Sequence, residues 1–509
     1  MEYNSGQTGF GRLTDRLRLA LAKKYLDWAE MLPEFRRGLI SHLQRIRKYQ
    51  HEEAIRSLEL SRLPKGLNFR YPLCIQMELF PVEIFDTLHS AIARLFPDRS
   101  SLGGGRDFIR RAAPSLFADV YIHAGILVRE SKRLFVPPTA TVRALPPEVE
   151  YISIDVYKVL PSAFVACFCT FLNDRAMANL YEVMNRTYFP ATRFKRWVPF
   201  WPRGIAHSET PADLVREASV LGELLRLRIS IEDVIGRYFQ GYFLMRGKRE
   251  SPRLPAIERF DLLCVPSEGE ELRWGWGAAL GLDYGTISFN GYRENKQIFI
   301  FSSEARWRLP VAHRLIVFHD ATEDPRAQDE LLHSPADGPV VTITQDIAVL
   351  EFLKRIKRAV EALRVRIYRR LAGSSLLRGF PEDIRLHRHL QKESLLLNRL
   401  ALEIEQGEKL YGSQSSPLAS FQPIHRRRKG DLGKESSERI HFQLDTISKH
   451  IDFVTKSFSE YVATRNMGLM YVLTVVATLA TILALIIATC EHWSWITASF
   501  RWLRSLLGG

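Results

Sequence analysis

The residues with chemical potential in this 509-residue chain are few and scattered. His319-Asp320 follows Arg314–Phe318, an apolar run with strand character, and metal sites commonly draw imidazole and carboxylate ligands from strand ends. No H-E-x-x-H pair or His/Asp series completes such a site, so these two residues mark no more than the start of a hydrolase centre. His387-x-His389 puts its imidazoles on different faces of a helix. Cys167-x-Cys169 lies within Phe164–Phe171, where alternate strand positions share a face, and it reads as packed thiols. Gly103-Gly104-Gly105 lacks the G-x-x-x-x-G-K-[ST] spacing of a phosphate cradle and reads as a flexible connection. Arg193-Phe194-Lys195-Arg196-Trp197, with Pro199, Phe200, Trp201 and Arg203, interleaves cations with aromatics. That mixture serves lipid headgroups or single-stranded nucleic acid, and equally closes a core beneath a proline-rich loop. No catalytic residue, metal ligand or cofactor is assigned.

The element with the clearest physical meaning lies near the C-terminus. Met467 to Cys490 is an apolar run without a charge. A bilayer core of about 30 Å needs roughly 20 such residues in a helix rising 1.5 Å per residue. Eleven leucines, valines and isoleucines between Leu469 and Ile487 each favour insertion by about 0.3–0.6 kcal/mol, a sum on the order of 5 kcal/mol. Met467, Leu473, Leu479, Leu485 and Cys490 therefore mark an expected transmembrane helix. Lys449, Lys456 and Arg465 precede it and place the bulk of the chain in the cytoplasm. Met1 to Arg18 has no apolar core of signal-peptide type, so late, tail-anchored insertion is expected. Residues 491–509, with Trp493, Trp495, Phe500, Trp502, Arg501 and Arg504, read as an interfacial amphipathic tail.

Ahead of the span, composition suits a folded cytoplasmic part: 46% of residues are hydrophobic. The five cysteines, Cys74, Cys167, Cys169, Cys264 and Cys490, show no disulfide framework, which fits a reducing compartment. Residues 1–64 read as an N-terminal helical segment. Residues 65–344 read as an α+β domain, with strands expected at Val120–Val128, Tyr151–Val159, Ala163–Leu172, Phe260–Val265, Thr286–Tyr292, Gln297–Phe301, Arg314–Phe318 and Val340–Thr344. Helices are expected at Pro81–Leu95, Arg175–Thr187 and Pro211–Leu244. Tight turns such as Asn290-Gly291 make the strands after Phe260 antiparallel.

From residue 345 the pattern is helix alone. Val349, Leu353, Ile356, Val360, Leu363 and Ile367 step by 4 and 3, a coiled-coil seam, and a second leucine-rich helix completes an antiparallel hairpin over 345–411. Residues 412–438 read as a flexible basic linker, and 439–466 as a coiled-coil stalk carrying Ile440, Leu444, Ile447, Ile451, Val454 and Phe458 in the same alternation. The same phase runs on through Arg465, Gly468, Val472, Val475, Leu479, Ile482 and Ile486. Such a seam needs a partner, either the hairpin or another copy of the chain, and within the bilayer only another copy can supply one. Ala480, Ala484 and Ala488 add small residues at four-residue spacing, which favours close helix approach in lipid. A homo-oligomer is expected.

The net charge of +14 attracts anionic partners without choosing among them. Basic residues crowd the opening helices, Arg193–Arg203, the helix Lys354–Arg370 and His425–Lys429. If the stalk stands upright, Arg426, Arg427, Arg428 and Lys429 lie roughly 45 Å from the bilayer, several screening lengths away, so they read as a dock for an acidic protein partner. Membrane lipid is the expected partner at the span, and nucleic acid is not expected.

The order of parts from Val340 to Cys490 resembles the CorA-type divalent-cation transporters: a cytoplasmic α+β domain, paired long helices, then a stalk entering the membrane close to the C-terminus. That family's signature is Gly-Met-Asn at the end of a first span, followed by a second. Here Asn466-Met467-Gly468 stands reversed at the other end, and no second span follows. The resemblance implies a divergent or pore-less relative, with Thr474, Thr478 and Thr481 as candidate pore-lining residues if a pore forms. The expected whole is an α+β cytoplasmic domain, a coiled-coil hairpin and stalk, and one C-terminal transmembrane helix, serving as a membrane-anchored, self-associating sensor or scaffold.

Overall fold

The computed structural model describes residues 69–96, 121–129, 140–186, 191–197, 205–210, 212–246, 253–262, 287–290, 297–301, 313–318, 338–372, 380–411, 422–423 and 432–506. The chain divides into two units, residues 1–352 with 403–439, and residues 353–402 with 440–509. The expected N-terminal helices lie outside the described residues.

The first unit is built on a mixed sheet. Its strands are β1 (Phe69–Pro81), β2 (Tyr121–Val128), β3 (Ala140–Val142), β4 (Val149–Leu160), β5 (Ala163–Leu172), β8 (Ala256–Leu262), β9 (Ile287–Asn290), β10 (Gln297–Phe301), β11 (His313–Phe318) and β12 (Gln422–Pro423). They lie in the order β12-β9-β10-β11-β8-β1-β5-β4-β2-β3. β6 (Ala191–Trp197) and β7 (Ile205–Thr210) form a separate antiparallel pair. The helices of this unit are α1 (Phe85–Leu95), α2 (Asp174–Asn185), α3 (Ala212–Ile235) and α4 (Tyr242–Arg246). Asn173 caps α2 by accepting from the Arg175 amide at 3.0 Å, satisfying one of the first-turn donors.

At the centre, β1 pairs with β5 on one side and β8 on the other, both antiparallel. Leu73, Ile75, Met77 and Leu79 line one face, Cys74, Gln76, Glu78 and Phe80 the other, and all eight are buried. Sequence expectation begins the sheet at Val120 and omits this strand. Gln76 and Glu78 interrupt its apolar pattern, and Pro72 lies between the two registers of its pairing with β8.

Three other expectations are corrected. Val340–Thr344 is not a strand but part of α5 (Gly338–Ala372). Its β-branched residues favour strand locally, yet Ile343, Ile347 and Leu350 are buried at helical spacing, and that burial decides the outcome. The strands after Phe260 are not all antiparallel, because β11 runs parallel to β8. The helix expected over Pro211–Leu244 breaks after Ile235 and resumes as α4. The break holds Gly241 against the Glu78 side chain, where any Cβ would overlap the carboxylate arm.

The second unit contains the distal part of α5, most of α6 (Phe380–Tyr411) and most of α7 (Leu432–Leu506). Leu363 of α5, Leu390 of α6, and Val454 and Phe458 of α7 form one buried cluster, with Tyr461 and Val462 packed at its margin. α7 begins within the stretch expected to be linker, and Gln422–Pro423 of that stretch pairs with β9. α7 then runs without interruption to Leu506, so the expected interfacial tail continues the same helix.

Candidate functional site

Residues 432–506 form one helix whose surroundings change along its length. Ile440, Leu444, Ile447, Ile451, Val454 and Phe458 are buried inside a single copy of the chain. After the polar turn Thr464-Arg465-Asn466 the helix becomes apolar and exposed among the described residues: Met467 is 66% exposed, Leu473 65%, Leu479 59% and Leu485 66%. Every residue from Met470 to Ala488 is exposed, including Ala480, Ala484 and Ala488. Cys490 belongs to the helix, and its side chain lies outside the described residues. Among the described residues this is the one helix long and apolar enough to cross a membrane by length and composition.

The threonines of this segment are satisfied within the helix. Thr474 donates to the Met470 carbonyl at 2.7 Å, Thr478 to that of Thr474 at 2.7 Å, and Thr481 to that of Ala477 at 2.8 Å. Their hydroxyl protons are committed to the backbone, as an apolar medium requires.

The sheet carries two polar constellations. On one face of β2 and β4, three polar side chains converge on Asp155. The His123 Nδ1 lies 2.9 Å from Oδ1, the Tyr121 hydroxyl donates to Oδ1 at 3.1 Å, and the Ser153 hydroxyl donates to Oδ2 at 3.3 Å. Cross-strand register sets this up directly, with His123 opposite Asp155 and Tyr121 opposite Tyr157. The bulge at Gly125 then shifts the register. Gly125 has φ of 151°, and a Cβ there would come 2.5 Å from the Phe96 ring. The Asp155 side chain is 6% exposed and that of His123 34%, so a buried carboxylate orients a partly accessible imidazole. Burial, and then Asp155, push the Tyr121 hydroxyl up to about 12. An imidazole so oriented has the form of a general base. The Ser153 hydroxyl is spent on Asp155 rather than on His123. Across β5, burial pushes the Cys167 and Cys169 thiols well above their ordinary range, which leaves them poor nucleophiles.

On the opposite face, α3 and α4 meet β1 and β8 through charged groups. Glu78 accepts from the amides of Phe243 at 2.7 Å and Leu244 at 2.9 Å, the first turn of α4. Glu232 accepts from the amides of Arg253 at 2.7 Å and Leu254 at 3.1 Å. It also accepts from Arg253 Nε at 2.7 Å. Arg228 donates to the Leu254 carbonyl at 3.0 Å. Glu258, opposite both Cys74 and Arg314 in the strand register, bonds the Arg314 guanidinium. Apart from the partly exposed Arg253 these groups are buried, and they join α4 to β1, α3 to the chain entering β8, and β8 to β11. Their chemistry is cohesion rather than turnover, since breaking either partner leaves a buried charge unpaired.

No group of three or more His, Cys, Asp or Glu residues could hold a metal ion among the described residues. His319 and Asp320, the Gly103–Gly105 segment, and Arg426, Arg427, Arg428 and Lys429 lie outside the described residues. Arg193–Trp197 forms most of β6, a hairpin strand absent from the sequence expectation. The Asp155 cluster was also absent from it. Its signal is an alternation of polar residues, Tyr121 and His123 on one strand, Ser153, Asp155 and Tyr157 on the next, in otherwise apolar runs. No protein-family model, curated protein or solved structure matches the chain.

Proposed function

We propose that this protein is a membrane-anchored, self-associating scaffold or sensor that displays its α+β domain on the cytoplasmic face of a bilayer. One observation carries the reading: α7 is buried where it is flanked by α5 and α6, and is exposed, uncharged and predominantly apolar from Met470 to Ala488. An apolar surface of that extent on a helix too long for a small core needs a cover, and hydrocarbon supplies it over the required length. Lys449 and Lys456 on the preceding turns favour the cytoplasmic side for the bulk of the chain. The seam is covered within one copy as far as Phe458, so self-association falls to Val472, Val475, Leu479, Ile482 and Ile486 and the small residues Ala480, Ala484 and Ala488. Coiled-coil packing of the stalk, in this reading, is with the hairpin of the same chain.

Vesicle flotation and alkaline extraction of the full-length chain test the anchor, and protease protection of a short C-terminal tag tests its orientation. The expected result is an extraction-resistant protein with a protected tag and a digestible N-terminal bulk. Recovery of the protein in the soluble fraction overturns the anchor; a digestible tag overturns the orientation. Single-molecule photobleaching in dilute vesicles tests association, and exclusively single-step bleaching removes it.

A further inference from the structure

Resting on the membrane-anchored reading, we propose that the tip of the α5–α6 hairpin is a second membrane-binding element, a basic collar that engages anionic lipid headgroups where α7 enters the bilayer.

The placement follows from helix packing in the second unit. α5 enters this unit at Leu353, α6 leaves it at Leu402, and α7 enters at Ile440. Leu363 and Leu390 meet Val454 and Phe458. The two hairpin arms therefore reach the cluster after about 10 to 12 residues and α7 after about 14 to 18, so α5 and α7 run in the same sense with α6 antiparallel to both. Below the cluster, α7 covers nine residues from Phe458 to Met467, about 14 Å, or about 20 Å counted from Val454. Over the same interval α5 continues past Leu363 to Arg366 and Arg369, about 4.5 and 9 Å further along. α6 arrives from the same direction, with Arg388 about 3 Å and Arg385 about 7.5 Å beyond Leu390. Arg369 and Arg385 thus stand about 5 to 12 Å above the level at which the apolar run begins, within about a screening length and within reach of a headgroup layer several ångströms thick.

The composition of the tip matches that position. Arg366, Arg369, Arg385, Arg388 and Lys392 are exposed, and Arg364 is half-buried with its guanidinium over the Tyr368 ring, 5.9 Å from the centroid. Tyr368 is itself 42% exposed and Val365 45%, an aromatic and an aliphatic side chain set among arginines as at a lipid interface. The acidic groups at this end are Glu382 and Asp383 at the start of α6, Glu361 and Glu393, half-buried and buried, and Asp452 and Glu460, exposed on α7. Residues 361–393 hold eight Lys or Arg against four Asp or Glu, a net charge of +4. A basic residue close to an anionic surface contributes about fivefold to partitioning. The collar would hold the α5 and α6 ends against the headgroup layer.

The test uses full-length protein reconstituted into phosphatidylcholine vesicles and into phosphatidylcholine–phosphatidylserine vesicles. Spin-labelled lipids report which headgroup is immobilised by the protein, and flotation reports anchoring separately. The variants are Arg366→Gln/Arg369→Gln/Arg385→Gln/Arg388→Gln and the corresponding all-lysine form; because these side chains are exposed, the fold is expected to survive, as an unchanged thermal transition checks. The collar predicts severalfold enrichment of phosphatidylserine around the native protein, lost in the glutamine variant, retained in the lysine variant and weakened by salt, while all three forms float on both vesicles. Equal headgroup preference in native and glutamine forms overturns the collar and leaves the anchor standing. Flotation of the native form on anionic vesicles alone supports the collar and overturns the anchor. Flotation on neither overturns both.

Discussion

Replacing Leu479 by arginine sets a charge near the middle of the exposed apolar half of α7, and the outcome can be worked from the structure. Leu479 is 59% exposed, so the substitution removes no packing from the folded chain. Within a single copy its cost is confined to insertion. The eleven large aliphatic residues between Leu469 and Ile487 together favour the bilayer by on the order of 5 kcal/mol, and exchanging a central leucine for arginine reverses about 3 to 4 kcal/mol of that. A margin on the order of 1 to 2 kcal/mol remains, so most Leu479→Arg protein stays integrated. Adding Ile482→Arg, at a position 50% exposed, carries the sum to about 6 to 8 kcal/mol against insertion, and the double variant is expelled. Alkaline extraction followed by flotation reads the graded series: native pelleted, single variant mostly pelleted, double variant soluble. Circular dichroism of the soluble double variant should retain the strand signal of the sheet. Full integration of the double variant refutes the reasoning, and so does loss of the sheet on the single substitution, because either outcome would mean that this face is buried in protein rather than in lipid.

Three further outcomes follow from the packing. Phe458→Ala empties the centre of the three-helix cluster, where Phe458 is 3% exposed, and should cost about 3–5 kcal/mol in denaturant unfolding of the detergent-solubilised chain; a loss under about 1 kcal/mol would contradict the cluster. Gly222→Ala, on an open face of α3 with nothing near the added methyl, should stabilise by about 0.5–1 kcal/mol, whereas Gly241→Ala drives a methyl into Glu78 and should be strongly destabilising; like signs for the two would contradict the described contact. Burial pushes the Cys74 thiol from its ordinary value near 9 up to about 12, so the folded state favours the neutral thiol; its contribution is complete below about pH 9 and is lost as pH rises toward 12. Site-resolved mass spectrometry should find Cys74, Cys167 and Cys169 unlabelled by thiol reagents at neutral pH and labelled after denaturation, and native labelling of Cys74 would contradict its burial.

The parts of the fold that were legible in the sequence are those where one period dominates. β5 and β10 coincide with their expected bounds because short β-branched and aromatic runs there are closed by turn residues. The helices α5 and α7 were legible because their apolar spacing repeats the same test several times over. The start of α5 was misread because Val340, Val341 and Thr342 carry strand propensity, which tertiary burial of Ile343 and Ile347 overrides. β1 was lost because Gln76 and Glu78 are paired by groups far away in sequence, the Arg228 carbonyl and the first amides of α4. The Asp155 cluster was missed for the same reason: its members are 32 and 34 residues from their partners, and only the strand register brings them together.

The same distinction separates what the two units contribute. In the first, charge is turned inward: Glu78 ties α4 to β1, Glu232 ties α3 to the chain entering β8, and Glu258 ties β8 to β11, which favours a rigid body over a site that opens. In the second, charge is turned outward on α5 and α6, while α7 exchanges a buried seam for a bare apolar surface within a few turns. In the proposed reading, the apolar helix tethers the α+β unit to a bilayer. Its chemistry would then lie in what the α+β surface meets, and the membrane would set where that meeting takes place.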